Sequence, residues 1–122
     1  MKRGILLFAH GARDARWAAP FEAVVERLRT QRPDIAVRLA FLELMTPDIG
    51  AAAAELVAEG CVRVDVVPLF LGAGGHVRKD LPALLHTLRE RHAGAAFLLH
   101  DAVGNTSIVI EAMASAALNA TA

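Results

Sequence analysis

Ile5-Leu6-Leu7-Phe8-Ala9-His10-Gly11 is an unbroken apolar run that ends on an imidazole and a glycine. A strand with one face in water alternates, whereas a run apolar at every position reads as a strand buried on both faces, the kind used by parallel sheets. Downstream of it, Trp17, Phe21, Val24, Val25 and Leu28 fall on one helical face, with Glu22, Glu26, Arg27 and Arg29 largely opposite. Pro20 is tolerated only near the start of that helix, so its regular part begins there, and Pro33 closes the segment. Residues 35–42 read as a second strand through Val37, Leu39, Phe41 and Leu42. Thr46-Pro47-Asp48 reads as a helix start, with a capping hydroxyl, a proline at the first position and an acid in the first turn. That helix is rich in alanine and stops at Gly60.

Residues 62–69 form a third strand with β-branched content in Val64, Val66 and Val67 and with Pro68 near its end. Gly72-Ala73-Gly74-Gly75-His76 then reads as a loop, and Asp80-Leu81-Pro82 as the start of a helix carrying Leu84, Leu85 and Leu88. A short strand over 95–99 follows. Asn105 or Thr106 caps a last helix containing Ile108, Ile110, Met113, Ala114 and Leu118. Strands alternating with helices predict an α/β fold. With right-handed crossovers it is a doubly wound, mainly parallel four-stranded sheet with helices on both faces, in the flavodoxin-like order 2-1-3-4. The whole of residues 1–122 is expected to form one domain.

Composition narrows the function classes. Thirteen basic and thirteen acidic residues cancel, which argues against a general grip on nucleic acid. The lone cysteine, Cys61, excludes an internal disulfide and a Cys-rich metal site, and fits a small buried hydrophobe in a reducing compartment. Met1-Lys2-Arg3 and the apolar run after it are too short for a leader before Arg13, Asp14 and Arg16 interrupt, and no run reaches membrane-helix length. The expected location is the cytoplasm.

Ligands in open α/β sheets bind beyond the carboxyl ends of the strands. Three polar residues fall there: His10 after the first strand, Glu43 after the second and His76 after the third. In the order 2-1-3-4 these strands are neighbours. Two imidazoles and a carboxylate suit a borderline divalent ion such as cobalt, iron, nickel or zinc, with coordination positions left open. Each residue also has a plainer reading: His10 as a strand-end histidine bonded to backbone, Glu43 as a solvated loop carboxylate, His76 as an exposed loop residue. Their common edge, rather than any fixed spacing, joins them. His86 and His92 read as surface residues of a helix, and His100 beside Asp101 as a substrate or supporting contact. The glycines at 72, 74 and 75 match neither the Walker nor the dinucleotide pattern. They read instead as a loop that lets backbone approach a flat ligand, and Arg13, Arg16, Arg78 and Lys79 rim the same edge, where they can hold carboxylates.

Three stretches carry a family resemblance: Leu6-Leu7-Phe8-Ala9-His10-Gly11-Ala12-Arg13, Phe41-Leu42-Glu43-Leu44-Met45-Thr46-Pro47, and the run from Val67 through Gly74-Gly75-His76-Val77-Arg78-Lys79 to Pro82. Together they resemble the short, single-domain sirohydrochlorin cobaltochelatases, class II tetrapyrrole chelatases, from about Gly4 to Leu99. Ala12 stands where the family usually has serine, and the stretch from Asn105 on departs from its pattern. The resemblance implies insertion of a divalent metal, Co2+ first with Fe2+ or Ni2+ as variants, into a sirohydrochlorin-type tetrapyrrole, without an organic cofactor. It implies His10 and His76 as metal-binding and catalytic residues with Glu43 as their acidic partner. Arg13, Arg16, Gly74, Gly75, Arg78 and Lys79 would contact substrate, and two copies would pair as a homodimer around a shared cleft. No redox step is needed, and an imidazole, titrating near ~6.5 in water, can take a pyrrole proton at neutral pH.

A non-catalytic metal or tetrapyrrole carrier would use the same residues. A flavin binder would need a Ser/Thr-rich loop after the first strand, a phosphotransfer receiver an aspartate after the third, and a histidine phosphatase an arginine where Ala9 stands.

Overall fold

The computed structural model describes residues 1–72 and 74–122, and of residues 75, 76 and 78 the backbone alone. Its elements run β1 (Lys2–Ala9), α1 (Ala19–Gln31), β2 (Ala36–Phe41), α2 (Ile49–Ala58), β3 (Cys61–Pro68), α3 (Gly75–Arg91), β4 (Ala96–Leu99) and α4 (Ser107–Ala120), with 3-10 turns at Ala15–Ala18 and Val103–Asn105. The four strands lie in the order β2-β1-β3-β4 and all pair in parallel, as the apolar runs predict. Leu7 pairs with Leu39 on one side and Val67 on the other, so β1 is central, and Leu6, Leu7 and Phe8 are buried on both its faces.

The two faces are covered unequally. On one, α2 and α3 bring Ala52, Ala53, Leu56, Leu81, Leu85 and Leu88 against Leu6, Phe8, Val64, Val66 and Phe97. On the other, α1 alone packs Val25 and Leu28 over Ile5, Leu7 and Val37. Fully burying a Val, Leu or Phe side chain contributes roughly 1.5–3 kcal/mol, and more of them are buried beneath α2 and α3 than beneath α1, so the larger core lies there. Val24 and Trp17, placed on the inner face by helical spacing, are exposed; Trp17 sits in the 3-10 turn before α1, where that spacing does not apply.

Two boundaries differ from the sequence reading. The cap of α2 is Asp48, whose carboxylate accepts from the Ala51 N–H at 2.8 Å, so Thr46 and Pro47 lie outside the helix, joined by a cis bond. Helix α3 begins at Gly75, five residues before Asp80, and Pro82 is inside it. A glycine run has low helix propensity, but here it enters the helix because Gly74 takes the extended cap conformation and the apolar residues behind it bury. Pro82 lacks an N–H to donate back one turn, a cost that the burial of Leu81 and Leu85 offsets. Helix α4 is capped by Thr106, as expected, and runs to Ala120 with no residue buried. Gly60 follows the end of α2 at φ +98°, the left-handed conformation that suits glycine there.

Candidate metal and tetrapyrrole site at the carboxyl edge

Strand β1 ends at Ala9 and β2 at Phe41, and the chain leaves both at the same edge of the sheet. Leu42 N–H still donates to Ala9 carbonyl at 2.8 Å, and so carries the pairing one step past the strands. The turn after it is tight. Met45 N–H donates to the Glu43 carbonyl at 2.8 Å, and Leu44 between them is held at φ +66°. That is an uncommon conformation for a branched residue and marks a position the surroundings over-determine. It turns the Glu43 side chain back across β1. Glu43 Oε1 lies 3.3 Å from His10 Nδ1 and accepts the Gly11 N–H at 3.2 Å. A side chain at Gly11 would have no room, since its Cβ would stand 1.7 Å from the Glu43 carbonyl oxygen.

His10 is held from three sides. Its carbonyl accepts the Trp17 indole N–H at 2.6 Å, its ring lies 4.6 Å from the Phe70 ring at a 34° tilt, and Glu43 takes its Nδ1. A carboxylate on one ring nitrogen fixes the tautomer and leaves Nε2 for a ligand, the arrangement common behind metal-bound histidines. The imidazole and the carboxylate remain about half exposed, at 45% and 42%. Beside them a cleft of about 410 Å³ is lined by His10, Trp17, Phe21, Leu69, Phe70, Leu71 and Gly72. Its walls are mostly apolar and aromatic, with the imidazole as their polar point. Leu69 N–H donates to Phe8 carbonyl at 2.7 Å and Gly104 N–H to Phe70 carbonyl at 2.9 Å, which fixes the far wall.

The other expected residues fall around this edge. His76 is the second residue of α3, which leaves the same edge after β3; its side chain, with that of Arg78, lies outside the described residues, so the expected meeting of His76 with His10 and Glu43 does too. Gly74 caps α3 and Gly75 is its first residue. Lys79 is exposed in the second turn of α3, and Arg13 is exposed in the loop after β1. Arg16 is engaged: its guanidinium forks onto Asp14 at 3.1 and 2.7 Å. Arg16 side chain and backbone N–H hold the Asp14 carboxyl below its ordinary value. Among the described residues no set of three or more His, Cys, Asp and Glu gathers as a metal cage, and His10 with Glu43 stands as a pair.

Two features escaped the sequence reading. Trp17 was placed on the α1 face but clamps the His10 backbone; nothing in its spacing signals that. Asp65 is a nearly buried carboxylate on β3 that accepts from His100 Nε2 at 2.8 Å and from Arg63 at 3.3 Å, with Arg3 at 3.7 Å. A charge inside Val64-Asp65-Val66 was the available signal. Burial pushes the Asp65 carboxyl up, but the hydrogen bonds and charges of His100 and Arg63 outweigh it and leave the group below its ordinary value. His92, expected at the surface, is half-buried with its ring 6.0 Å from that of Phe97, because the end of α3 settles on β4.

Comparison with known proteins agrees with this architecture. The CbiX family model matches residues 4–120, which extends the likeness through α4 and past the point near Leu99 where the sequence motifs stop. A sirohydrochlorin cobaltochelatase from Sulfolobus acidocaldarius is 30% identical over 108 residues, 88% of this chain and 84% of that protein. One from Methanosarcina acetivorans is 30% identical over 93 residues, 76% of this chain and 71% of the relative. The crystal structure of a CbiX protein from Marinobacter aquaeolei superposes with a TM-score of 0.85 at 32% identity, covering 98% of this chain and 97% of the other. The sirohydrochlorin chelatase SirB from Bacillus subtilis subspecies spizizenii, in complex with cobalt, superposes with a TM-score of 0.80 at 26% identity over 92% of this chain. This chain spans 48% of that longer one.

Proposed function

The chain belongs to the CbiX family, and we propose on that footing that it inserts a divalent metal into sirohydrochlorin at the carboxyl edge of its sheet. The observation that carries the reading is the His10–Glu43 pair opening onto an apolar cleft. Insertion exchanges two pyrrole protons of the macrocycle for one metal ion. The ion is a substrate: His10 Nε2 and the His76 imidazole would bind it, with Glu43 orienting His10 and accepting or relaying a proton. Trp17 and Phe70 offer faces against which a flat macrocycle can pack. Its carboxylates would be held by Arg13, Arg78 and Lys79, with Arg16 contributing less while it is forked onto Asp14. Positioning and exchange of ligands, rather than redox chemistry or an organic cofactor, would supply the rate.

The metal proposed is Co2+, in keeping with the names of the relatives and with the cobalt complex of SirB. Fe2+ for siroheme is the nearest variant, in keeping with the Fe3+ complex of the Bacillus subtilis chelatase. Ni2+ also suits an imidazole–carboxylate set. A cytoplasmic site of action and pairing into a homodimer complete the reading; among the described residues no helix is long and apolar enough to cross a membrane.

The test mixes purified protein, sirohydrochlorin and Co2+ and follows the absorbance of the macrocycle. Insertion faster than the spontaneous reaction is expected, and a rate no faster would overturn the proposal. Full activity in both His10→Ala and His76→Ala would remove the assigned metal ligands while leaving the family untouched.

A further inference from the structure

Two leucines stand in water on the edge that carries His10. Leu44, in the loop after β2, is 64% exposed, and Leu71, in the loop after β3, is 70% exposed. Strand β1 lies between β2 and β3, so the two loops leave the sheet on either side of His10, about 10 Å apart at two strand spacings. Neither backbone is free to turn its leucine inward. Gly104 packs so closely on Leu71 that a Cβ on the glycine would stand 1.9 Å from the Leu71 carbonyl oxygen and 2.4 Å from its Cα. In the other loop, Leu42 and Met45 turn into the two sides of the core, and Leu44 between them is turned out. It sits at the apex of a bond from Met45 N–H to the Glu43 carbonyl with φ at +66°, the rare and strained form of the γ-turn.

Positive φ suits Gly or Asn far better than Leu. The loop therefore holds an apolar side chain at a backbone cost, and no burial within the chain offsets it. A partner that covers the leucine accounts for it, and the surroundings indicate which. The neighbouring Glu43 reaches His10 Nδ1 at 3.3 Å, so Leu44 belongs to the rim of the metal edge. Leu71 lines the cleft beside His10 together with Trp17, Phe21 and Phe70. Arg13 and Lys79 are exposed at the same edge. Apolar contacts around an imidazole, with cations nearby, fit a flat apolar ring that carries carboxylates at its periphery. The separation of the two loops is on the scale of such a ring.

We propose that Leu44 and Leu71 are substrate contacts, two apolar posts on either side of His10 against which the centre of the sirohydrochlorin macrocycle rests while its nitrogens face the metal. Leu44 then sets affinity for the macrocycle and leaves affinity for the metal alone. This deepens the chelatase reading above and rests on its choice of macrocycle, but not on its metal ligands.

Equilibrium dialysis of metal-free sirohydrochlorin against wild type, Leu44→Asn, Leu44→Met and Leu71→Ser tests it, with urea midpoints and insertion kinetics of the same chains. Leu44→Asn is expected to bind the macrocycle about tenfold more weakly. Its KM for sirohydrochlorin rises in step, and kcat and the KM for Co2+ hold. Its urea midpoint is expected to equal or exceed that of wild type, because Asn tolerates the turn. A purely structural role would not weaken binding while leaving the fold as firm or firmer. Leu44→Met restores an apolar side chain and is expected to recover most of the affinity, and Leu71→Ser to lose it as Leu44→Asn does. Wild-type affinity in Leu44→Asn overturns the proposal. So does a midpoint that falls together with affinity, or a loss confined to kcat, which would mean a displaced Glu43. A Leu44→Asn chain that sediments at half the wild-type mass also overturns it, since the leucine would then cover a second copy. Leucine-dependent binding by a wild type that inserts metal no faster than the spontaneous reaction keeps the contacts and removes the chelatase reading. Insertion that is indifferent to Leu44 does the reverse.

Discussion

Glu43 spans two neighbouring loops: a single carboxylate oxygen, Oε1, lies 3.3 Å from His10 Nδ1 and 3.2 Å from the Gly11 nitrogen. One acceptor thus sets both the imidazole's orientation and the path of the backbone that follows it. Replacing Glu43 by Gln keeps an oxygen of the same shape and removes the charge. Metal insertion by Glu43→Gln is expected to fall about 10- to 100-fold, the usual cost of losing the group behind a metal-bound histidine. His10→Ala is expected to fall further. The check is the initial rate across a range of metal concentrations; a Glu43→Gln rate equal to wild type at every concentration would place Glu43 outside the site.

Gly11→Ala is expected to be damaging at a distance from any side-chain chemistry. The new methyl would meet the Glu43 carbonyl oxygen and carbon and the Met45 nitrogen, all backbone atoms in a turn already constrained at Leu44. A loss of about 1–3 kcal/mol is expected in urea denaturation, with a larger fractional loss of insertion rate because Glu43 moves with its backbone. Gly94→Ala, where a Cβ meets nothing within 4 Å, is the matching control and is expected to be near neutral.

The order of strands and the edge where they end were legible in the chain because three apolar runs, punctuated by His10, Glu43 and the glycines after Leu71, admit few other arrangements. Where α3 begins was not legible, since glycines at 74 and 75 carry no local preference for a helix and only the burial of Leu81 and Leu85 against the sheet decides it. The apolar residues of α4 announced a helix but not its exposure; periodicity shows that a stripe exists, not what meets it. Trp17 lay beyond reach for a similar reason, because its contact to the His10 carbonyl belongs to a 3-10 turn with no side-chain period to read.

Asp65 predicts an acid-sensitive fold. Its carboxyl titrates below the ordinary value in the folded chain, so its ionised form stabilises the protein above the unfolded value, ~3.9, and that contribution is lost as pH falls through the lower folded value. Asp65→Asn is expected to be less stable than wild type at pH 7, and the gap is expected to shrink below pH ~4. Denaturant midpoints of the two chains at pH 7 and pH 3 decide it; a gap that stays constant would show that the Asp65 charge is not linked to folding.

Leu85 tests the support of α3. It is fully buried between α3 and the sheet, and Leu85→Ala is expected to cost about 2–5 kcal/mol in chemical denaturation. A cost under about 1 kcal/mol would mean that the helix bearing His76 is held mainly by something other than this core.

The indole bonded to the His10 carbonyl has an optical consequence. The chain holds one tryptophan and no tyrosine, so its ultraviolet emission arises almost wholly from a single chromophore. That chromophore forms part of the cleft wall and is wired to the histidine's own peptide group. Light emitted by this protein is therefore a local signal, and quenching by an absorbing macrocycle or a paramagnetic ion would register occupancy of the edge directly, in real time and without a label.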